Sequence, residues 1–314
     1  MDGTSPATTG TLEHMPICEI DPWRMQYFTA IACPDDVLIS TEDSDSWTWY
    51  PRHRWVYDKV AVALSQDLEA APHGVAPKHY PVFSKPITNL KGMGVGSRVL
   101  RSADDYATHY APGHMWMTLL EGRHVSSDVA VLDGKPVWWR HATGRPGPEG
   151  TFDYWVLHAA PDAEVEGHCG AWIGRHLAGY TGMLNVETIG GRIIEAHLRF
   201  ADQWPDLYGK GWVEALVRLY QHRRWDYADA DRRDGYSVVL FGPHGPRYRH
   251  PPQALLDAVR AMPAVSSVQI TFHAEKPPEQ HAMPPGGFRL AIVNCHDLPA
   301  GQAAREKLRA FFLG

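Results

Sequence analysis

The segment from residue 185 to 199 constrains the fold of this chain more than any other. It reads Asn-Val-Glu-Thr-Ile-Gly-Gly-Arg-Ile-Ile-Glu-Ala-His-Leu-Arg. Two segments with a strand-like residue pattern therefore flank a Gly-Gly pair. Such a pair predicts a β-hairpin, because glycine readily adopts the positive φ angles of a tight turn. Side chains alternate between the faces of a strand. The second strand therefore places Glu195, His197 and Arg199 on one face.

The apolar neighbours of Glu195 indicate that this carboxylate is partly buried and needs a cation or an arginine as partner. A two-residue turn would place Val186 opposite Glu195. A bulge or a three-residue loop would instead bring Asn185 opposite Glu195, with Glu187 on the same face. The alternative for the whole hairpin is a surface ladder of cross-strand ion pairs.

A lysine and a glycine run form a second group of candidate residues. Lys85 lies in Phe83-Ser-Lys-Pro86, at the end of a predicted strand, and residues 91–97 read Lys-Gly-Met-Gly-Val-Gly-Ser. Glycine at every second position lets the backbone approach a ligand and point N–H groups at phosphate oxygens. The run matches neither the GxGxxG dinucleotide motif nor a Walker loop, which needs Gly-Lys-Ser/Thr.

Composition excludes several classes of protein. The 314 residues are 44% hydrophobic and 21% charged with a net charge of −6, so neither a nucleic acid nor an anionic membrane is an expected partner. No apolar run approaches the roughly 20 residues that span a bilayer. Met1–His14 has no signal-peptide pattern, which predicts a cytoplasmic protein. The four scattered cysteines predict packing residues rather than a zinc site or a disulfide framework.

Apolar periodicity predicts an alternation of helices and strands. We expect helices over Val56–Glu69, Ala163–Tyr180, Val213–Tyr220, Pro252–Ala261 and Ala303–Phe312. Two segments rich in polar, Gly or Pro residues, Thr41–Arg54 and Thr143–Gly150, are expected to be loops. Asp133-Gly134 between apolar runs predicts a further hairpin. The pattern indicates an α+β fold with three parts, residues 1–54, 55–225 and 226–314.

The order of these motifs resembles that of the ATP-grasp superfamily of carboxylate–amine and carboxylate–thiol ligases and carboxylases. Tyr57-Asp-Lys59 resembles the Asp-Lys pair that opens its first subdomain, and Tyr80–Pro86 resembles the strand whose lysine contacts the nucleotide phosphates. Residues 92–97 resemble the mobile glycine loop above them. Residues 115–134 resemble the segment whose backbone binds adenine, and residues 182–199 resemble the two metal-binding strands.

The resemblance implies two α+β subdomains that clamp ATP and Mg²⁺, a reduced N-terminal segment and a small C-terminal α+β lobe. It implies nucleotide contacts from Lys59, Lys85, Gly92, Gly94, Gly96, Ser97, Met117, Thr118, Leu120 and His124. It implies metal ligands at Glu187, Glu195 and His197, and catalytic roles for Lys85 and Arg199.

Three positions depart from the family pattern. Met117 or Thr118 stands where an acid often begins the adenine-binding segment, His124 stands where a ribose-binding Glu is usual, and His197 stands where a metal-binding Asn is usual. Imidazole suits Mg²⁺ poorly. Three alternatives for His197 therefore stay open: a ligand to Mn²⁺, a hydrogen-bond donor to phosphate, or a metal site with one ligand fewer.

The implied function is an ADP-forming ligase that joins a small carboxylic acid to an amine through an acyl phosphate. Ligases of this type often form homodimers, but the sequence itself does not fix the oligomeric state. We expect the substrate pocket beside the loops at residues 47–54 and 140–145, where Arg140, His141 and Arg145 would hold a carboxylate. One alternative is a phosphotransferase with His141 or Asp153 as its base. The other is a nucleotide-binding protein without turnover.

Overall fold

The computed structural model describes residues 17–88 and 96–314. Its α-helices are α1 (Asp43–Trp49), α2 (Lys59–Leu64), α3 (Ala103–Thr108), α4 (Ala163–His176), α5 (Trp212–His222), α6 (Gln253–Arg260) and α7 (Leu298–Leu313). Its strands are β1 (Ile17–Cys18), β2 (Ile39–Ser40), β3 (Ala70–Pro72), β4 (Val82–Pro86), β5 (Arg98–Leu100), β6 (His114–Thr118), β7 (His124–Leu132), β8 (Lys135–Pro146), β9 (Phe152–His158), β10 (Gly182–Ile189), β11 (Arg192–His197), β12 (Gly235–Gly242), β13 (Val265–Ile270) and β14 (Phe288–Cys295). None of the helices in these ranges is long and apolar enough to cross a membrane.

An eight-stranded antiparallel sheet forms the centre of the molecule. Its strand order is β11-β10-β7-β8-β9-β12-β14-β13. The pairing of β9 with β12, from Gly235 opposite Leu157 to Val238 opposite Tyr154, joins strands on either side of residue 226. The predicted lobe from residue 226 to 314 therefore shares a sheet with the preceding part, and its boundary stays a prediction.

A second, four-stranded antiparallel sheet has the order β3-β6-β4-β5. It carries Lys85 on β4, opposite Met115 of β6. The two sheets approach each other at β11, where the Lys85 Nζ atom donates to the carbonyl oxygen of Ile194 at 2.7 Å. This contact places the lysine-bearing sheet against the acidic hairpin.

Both faces of the large sheet are covered by apolar side chains, and this fixes which residues face the site. On β10, Met183 packs in one cluster with Trp212 and Leu216 of α5. Leu184, its neighbour in sequence, packs in another with Ile173 of α4. Because side chains alternate along a strand, the polar residues that share the face of Met183 cannot contact α4.

The α+β prediction is confirmed, and several boundaries differ from those expected. The predicted loop Thr41–Arg54 contains α1. The helix predicted over Val56–Glu69 is shorter, because Asp58 caps its start by accepting hydrogen bonds from the N–H groups of Val60 and Ala61. The predicted loop Thr143–Gly150 is strand as far as Pro146, since β8 pairs there with β9, a strand that periodicity did not predict.

Candidate active site

The hairpin of β10 and β11 brings its two carboxylates together. Glu187 lies directly opposite Glu195, and the register shifts between this pair and the pair Thr188–Ile193. A bulge is therefore present, but it lies on the second strand at Ile194. The expectation that a bulge would set Asn185 opposite Glu195 is wrong for this reason, since Asn185 pairs with His197. The bulge also turns the Ile194 carbonyl group toward Lys85.

A cavity of about 500 Å³ lies between the two sheets at this hairpin. Its polar wall contains Lys85 and Ser97 from one side and Glu187, Glu195, His197 and Arg199 from the other. Its apolar wall includes Phe152, Trp155 and Phe241. The rings of Phe152 and Trp155 have centroids 4.4 Å apart. Lysine, paired acids and arginine thus meet at one cleft, as the motif order implied.

Glu195 lies at the centre of a chain of ion pairs. Its Oε1 atom is 2.6 Å from Nζ of Lys59, and its Oε2 atom is 3.4 Å from Nε2 of His197. Burial opposes ionisation of this carboxyl group, but the hydrogen bond from His197 and the charge of Lys59 hold its pKa well below the usual range. Glu195 is therefore ionised at neutral pH.

Asp43, a residue that sequence reasoning did not select, fixes the other end of this chain. Its carboxylate accepts from Nδ1 of His197 at 3.0 Å and lies 2.9 Å from Nε of Arg199. The side chain of Asp43 is only 3% exposed. Burial opposes ionisation, yet Arg199 and His197 together hold the pKa of Asp43 well below its usual range. The only sequence signal is an acidic residue in the first turn after a short strand.

His197 is held between two carboxylates and is a cation at neutral pH. Burial alone would lower its pKa, but Asp43 and the hydrogen bonds to Asp43 and Glu195 raise it to about 9. An imidazolium ring has no free lone pair for a metal ion. This arrangement does not fit the prediction of His197 as a metal ligand, and it fits the alternative in which His197 donates to a negatively charged group.

Glu187 is paired with His124 across the neighbouring strands β10 and β7. The Nε2 atom of His124 is 3.1 Å from Oε2 of Glu187. Burial opposes the charge on each group, but their hydrogen bond lowers the pKa of Glu187 and raises that of His124. His124 also lines the cavity, and it contacts Glu187, one of the predicted metal ligands. A contact of His124 with a nucleotide stays a prediction.

Lys85 is a buried lysine whose pKa is lowered. Only 3% of this residue is exposed. Burial, together with the nearby charge of Lys59, lowers the pKa of Lys85 to about 8, although Glu195 opposes the shift. A nearby anion would stabilise the charged ammonium form of such a lysine and raise its pKa again.

The remaining predicted nucleotide contacts either do not line the cavity or lie outside the described residues. Met117 is 2% exposed and packs in an apolar cluster with Leu120 and Ile194. The N–H group of Thr118 already donates to the carbonyl oxygen of Glu69. Gly96 is exposed with a φ of +81°. The two glycines Gly92 and Gly94 lie outside the residues that the structure describes.

The predicted carboxylate-binding group is not part of the cavity wall. Arg140 is 1% exposed and donates to the backbone carbonyl groups of Leu207 and Arg233. His141, on the opposite face of β8, contacts Ser127 at 2.9 Å and Glu166 at 3.0 Å.

The substrate prediction is wrong for Arg140 and His141, because other elements bury both side chains away from the cleft. Arg145 is exposed near the end of β8 and does not line the cleft either. Asp153, the other suggested base, pairs with Arg305.

A second cavity of about 670 Å³ adjoins the first and shares Arg199 and Arg289 with it. Residues 20–24 and 41–43 form one side, and segments between 271 and 289 form the other. Arg289 and Glu42, which sequence reasoning did not select, lie on its wall. It is open to a molecule larger than water and reaches the Arg199 end of the first cavity. The two cavities therefore meet at Arg199 and Arg289.

The side chains at the hairpin fit a metal-bound nucleotide. Carboxylate oxygens are the ligands that Mg²⁺ prefers, and Glu187 and Glu195 face each other on adjacent strands. Lys59 and Lys85 supply positive charge beside them, as a triphosphate requires. The predicted roles of Glu187 and Glu195 are thus compatible with the structure, and these two residues would hold the ion through carboxylate oxygens.

The fold is similar to that of several solved structures at low sequence identity. An L-amino acid ligase from Bacillus licheniformis has a TM-score of 0.58 and 11% identity, over 91% of this chain and 82% of that chain. A phosphoribosylamine–glycine ligase from Thermotoga maritima has a TM-score of 0.61 and 13% identity, over 89% and 83%. A carboxyaminoimidazole ribonucleotide synthase from Aspergillus clavatus, solved with ATP, has a TM-score of 0.58 and 11% identity, over 88% and 80%.

No protein-family model and no curated protein sequence matches this chain. The structural similarity nevertheless covers most of each chain compared. The chain therefore has an ATP-grasp fold, as the order of its motifs implied.

Proposed function

We propose that this protein is an ATP-dependent, ADP-forming ligase that activates a small carboxylic acid and couples it to an amine. One observation carries the proposal. Lys85 of the small sheet, Glu187 and Glu195 of the large sheet, and Arg199 just after β11 line a single cleft, although Lys85 is far from the other three in sequence. Two of the similar solved structures are named as ligases. Because the sequence identity is low, these structures support only the fold. The residues that line the cleft support the proposed chemistry.

In the first step, a carboxylate oxygen of the substrate attacks the γ-phosphorus of ATP. The bond from that phosphorus to the β,γ-bridging oxygen breaks, and its electron pair leaves with ADP. Lys85 would hold the phosphate oxygens, and Arg199 would neutralise charge on the transferring group. Mg²⁺, bound by Glu187 and Glu195, would supply charge neutralisation between the phosphates.

In the second step, the amine nitrogen attacks the carbonyl carbon of the acyl phosphate. The bond between that carbon and the phosphate oxygen breaks, phosphate leaves, and the nitrogen loses a proton. Phe152, Trp155 and Phe241 shield one side of the cleft, which would limit hydrolysis of the intermediate. The second cavity gives the acid and the amine a route to the γ-phosphate that does not pass through the nucleotide.

The geometry favours a ligase over the two alternatives. A phosphotransferase needs a base beside the acceptor, and both suggested bases, His141 and Asp153, are paired outside the cleft. A binding protein without turnover does not require Arg199, which is held between Asp43 and the junction of the two cavities. A residue in that position is useful where charge develops beyond the γ-phosphate.

The test is ATP turnover with purified protein, Mg²⁺ and a matrix of small carboxylic acids and amines. We expect ADP and phosphate to appear in equal amounts only when a suitable acid and amine are both present, with an amide as the second product. Phosphorylated acceptor without free phosphate would identify a phosphotransferase. ATP binding without ADP formation across the whole matrix would count against the ligase proposal.

The lowered pKa of Lys85 predicts a pH dependence of nucleotide binding. Its free-state pKa of about 8 means that the ammonium form declines above that pH, whereas the bound phosphates favour it. We therefore expect the affinity for MgATP to fall above pH 8, by at most about tenfold per pH unit, with proton uptake on binding. Calorimetry in buffers of different ionisation enthalpy measures this uptake. Lys85→Arg, which stays charged, should remove the pH dependence, and an unchanged profile in that variant would contradict the assignment.

A further inference from the structure

Arg289 is a cation without an anionic partner, and it lies on the wall shared by the two cavities. No carboxylate of the described residues comes within 4.0 Å of its guanidinium group, and its Nε atom is buried without a hydrogen bond. Burial and the nearby charge of Arg24 lower its pKa to about 10, so it remains a cation at neutral pH. A buried unpaired guanidinium is costly, and a carboxylate or phosphate offers it a matching pair of acceptors.

A cluster of three carboxylates lies at the second cavity, and two of them, Glu42 and Asp202, line its wall. Ligand atoms of Glu19, Glu42 and Asp202 all lie within 4.8 Å of one another. Asp202 is paired with Arg24, but the Glu42 carboxylate has no partner among the described residues, and Oε2 of Glu19 is buried without one. Burial and the charge of Asp202 raise the pKa of Glu19 to about 8 and that of Glu42 to about 7. Arg24 therefore pairs with only one of the three carboxylates in this cluster.

A single ammonium group suits the cluster better than a divalent metal ion does. Arg24 forms ion pairs with both Asp202 and Asp21 at the edge of the cluster. Its fixed positive charge would repel a divalent ion twice as strongly as a monovalent one. An ammonium group also offers three N–H donors to the free carboxylate oxygens.

We propose that the acid activated by this enzyme is an amino acid, held by its ammonium group at Glu19, Glu42 and Asp202 and by its carboxylate at Arg289. Glu42, Asp202 and Arg289 all line the second cavity, and Arg289 also faces the ATP cavity. The substrate carboxylate would thus lie beside Arg199, where it meets the γ-phosphate. This inference rests on the proposed function and adds the substrate class to it.

The arrangement also assigns the amino acid to one role in the reaction. Its carboxylate oxygen forms the bond to phosphorus while ADP leaves, as in the first step above. Its own nitrogen stays protonated against the acidic cluster and has no lone pair to attack the acyl phosphate. A second, uncharged amine must therefore form the amide bond, so the bound amino acid is the acyl donor.

The experiment is calorimetric binding of L-amino acids to the full chain, with and without Mg²⁺ and a non-hydrolysable ATP analogue. Each amino acid is compared with the acid that lacks its amino group and the amine that lacks its carboxylate, for example alanine with propionate and ethylamine. We expect at least one amino acid to bind about tenfold or more tightly than both counterparts. Equal affinity for the acid that lacks the amino group would overturn the inference, as would no amino acid binding.

Variants locate the binding. Glu42→Gln should weaken the amino acid about tenfold and leave the acid without an amino group unaffected, and Arg289→Gln should weaken both. Glu279→Gln, an exposed position in a short 3-10 helix next to Gln280 of the cavity wall, is the matched control and should bind as the unaltered protein does. Glu42→Asp and Arg289→Lys, which keep the charges, serve where a neutral variant does not fold, with partial binding expected. Full affinity of Glu42→Gln for the amino acid would contradict the ammonium site. So would a rise in melting temperature that depends on Mg²⁺ and is lost in Glu42→Gln, because it would indicate a metal ion at the cluster.

Two results separate this inference from the proposed function. If amino acid binding depends on Glu42 and Arg289 but no ADP forms, the inferred binding site stands and the proposed ligase activity is wrong. ADP formation only with acids that lack an amino group would retain the ligase and remove the inference.

Discussion

Glu195→Gln is expected to lower ATP turnover by roughly a hundred- to a thousandfold, the range typical for loss of one well-placed electrostatic group in an active site. The substitution keeps the shape of the side chain and removes its charge. Lys59 and His197 would lose the carboxylate between them, and one of the two acids proposed to bind Mg²⁺ would lose its charge. Steady-state ADP formation at saturating acid and amine, over a range of Mg²⁺ concentrations, measures the effect.

The matched control for this prediction is Glu69→Gln, the same chemical change at an exposed position beside the small sheet. It should have nearly unaltered turnover and melting temperature. Circular dichroism of Glu195→Gln establishes whether the fold is kept. A correctly folded Glu195→Gln protein with turnover within a few-fold of the original would remove Glu195 from the mechanism.

Asp43→Asn is expected to cause the largest loss of stability, about 3–5 kcal/mol in the free energy of unfolding, because it leaves two buried cations without their anion. Arg199 and His197 both depend on this one carboxylate. Chemical denaturation at pH 6.5 measures the difference. Asp43 raises the pKa of His197 to about 9. The contribution of His197 to the difference in free energy of unfolding should therefore be largest below pH 6.5 and decline as the pH rises towards 9.

Asp45→Asn is the control for Asp43, since it lies in the same first turn of α1 and forms no ion pair with the described residues. Its loss of stability should stay within about 0.5 kcal/mol, as is usual for substitutions away from a buried network. Similar losses in the two variants would show that the charge at the start of the helix matters and that the buried network does not.

Local patterns predicted the parts of the site that lie on single elements. The hairpin, its Gly-Gly turn and the shared face of Glu195 and His197 follow from strand periodicity over a few residues, whereas Arg199 lies beyond the end of β11. The sequence did not predict which strand carries the bulge, because both strands are compatible with an extra residue. Its position at Ile194 decides which residue lies opposite Glu195.

Partners from distant segments could not be predicted in the same way. Asp43 is 154 residues from His197, and Arg289 reaches the cleft from β14. No short-range pattern distinguishes these residues from the many other charged residues of the chain. Each is informative only once the fold shows that it is buried and which charges surround it.

The errors at Arg140 and His141 have a related origin. Two basic residues before a Gly/Pro segment suggested an exposed loop, but β8 continues through them and pairs with both β7 and β9. Adjacent residues of a strand point in opposite directions, so Arg140 and His141 are buried on different faces. Pairing by β9, which the periodicity did not reveal, turned an expected loop into the interior of a sheet.

The bonds between β9 and β12 have a consequence for engineering and for the divergence of related sequences. The wall that carries Glu187 and Glu195 and the wall that carries Arg289 belong to one continuous sheet, so the spacing between them is set by backbone register. A graft that replaced everything after residue 226 would have to reproduce that register before any side chain could be useful. New substrate preferences should therefore arise by exchanging side chains on a fixed frame, with insertions confined to the connecting turns.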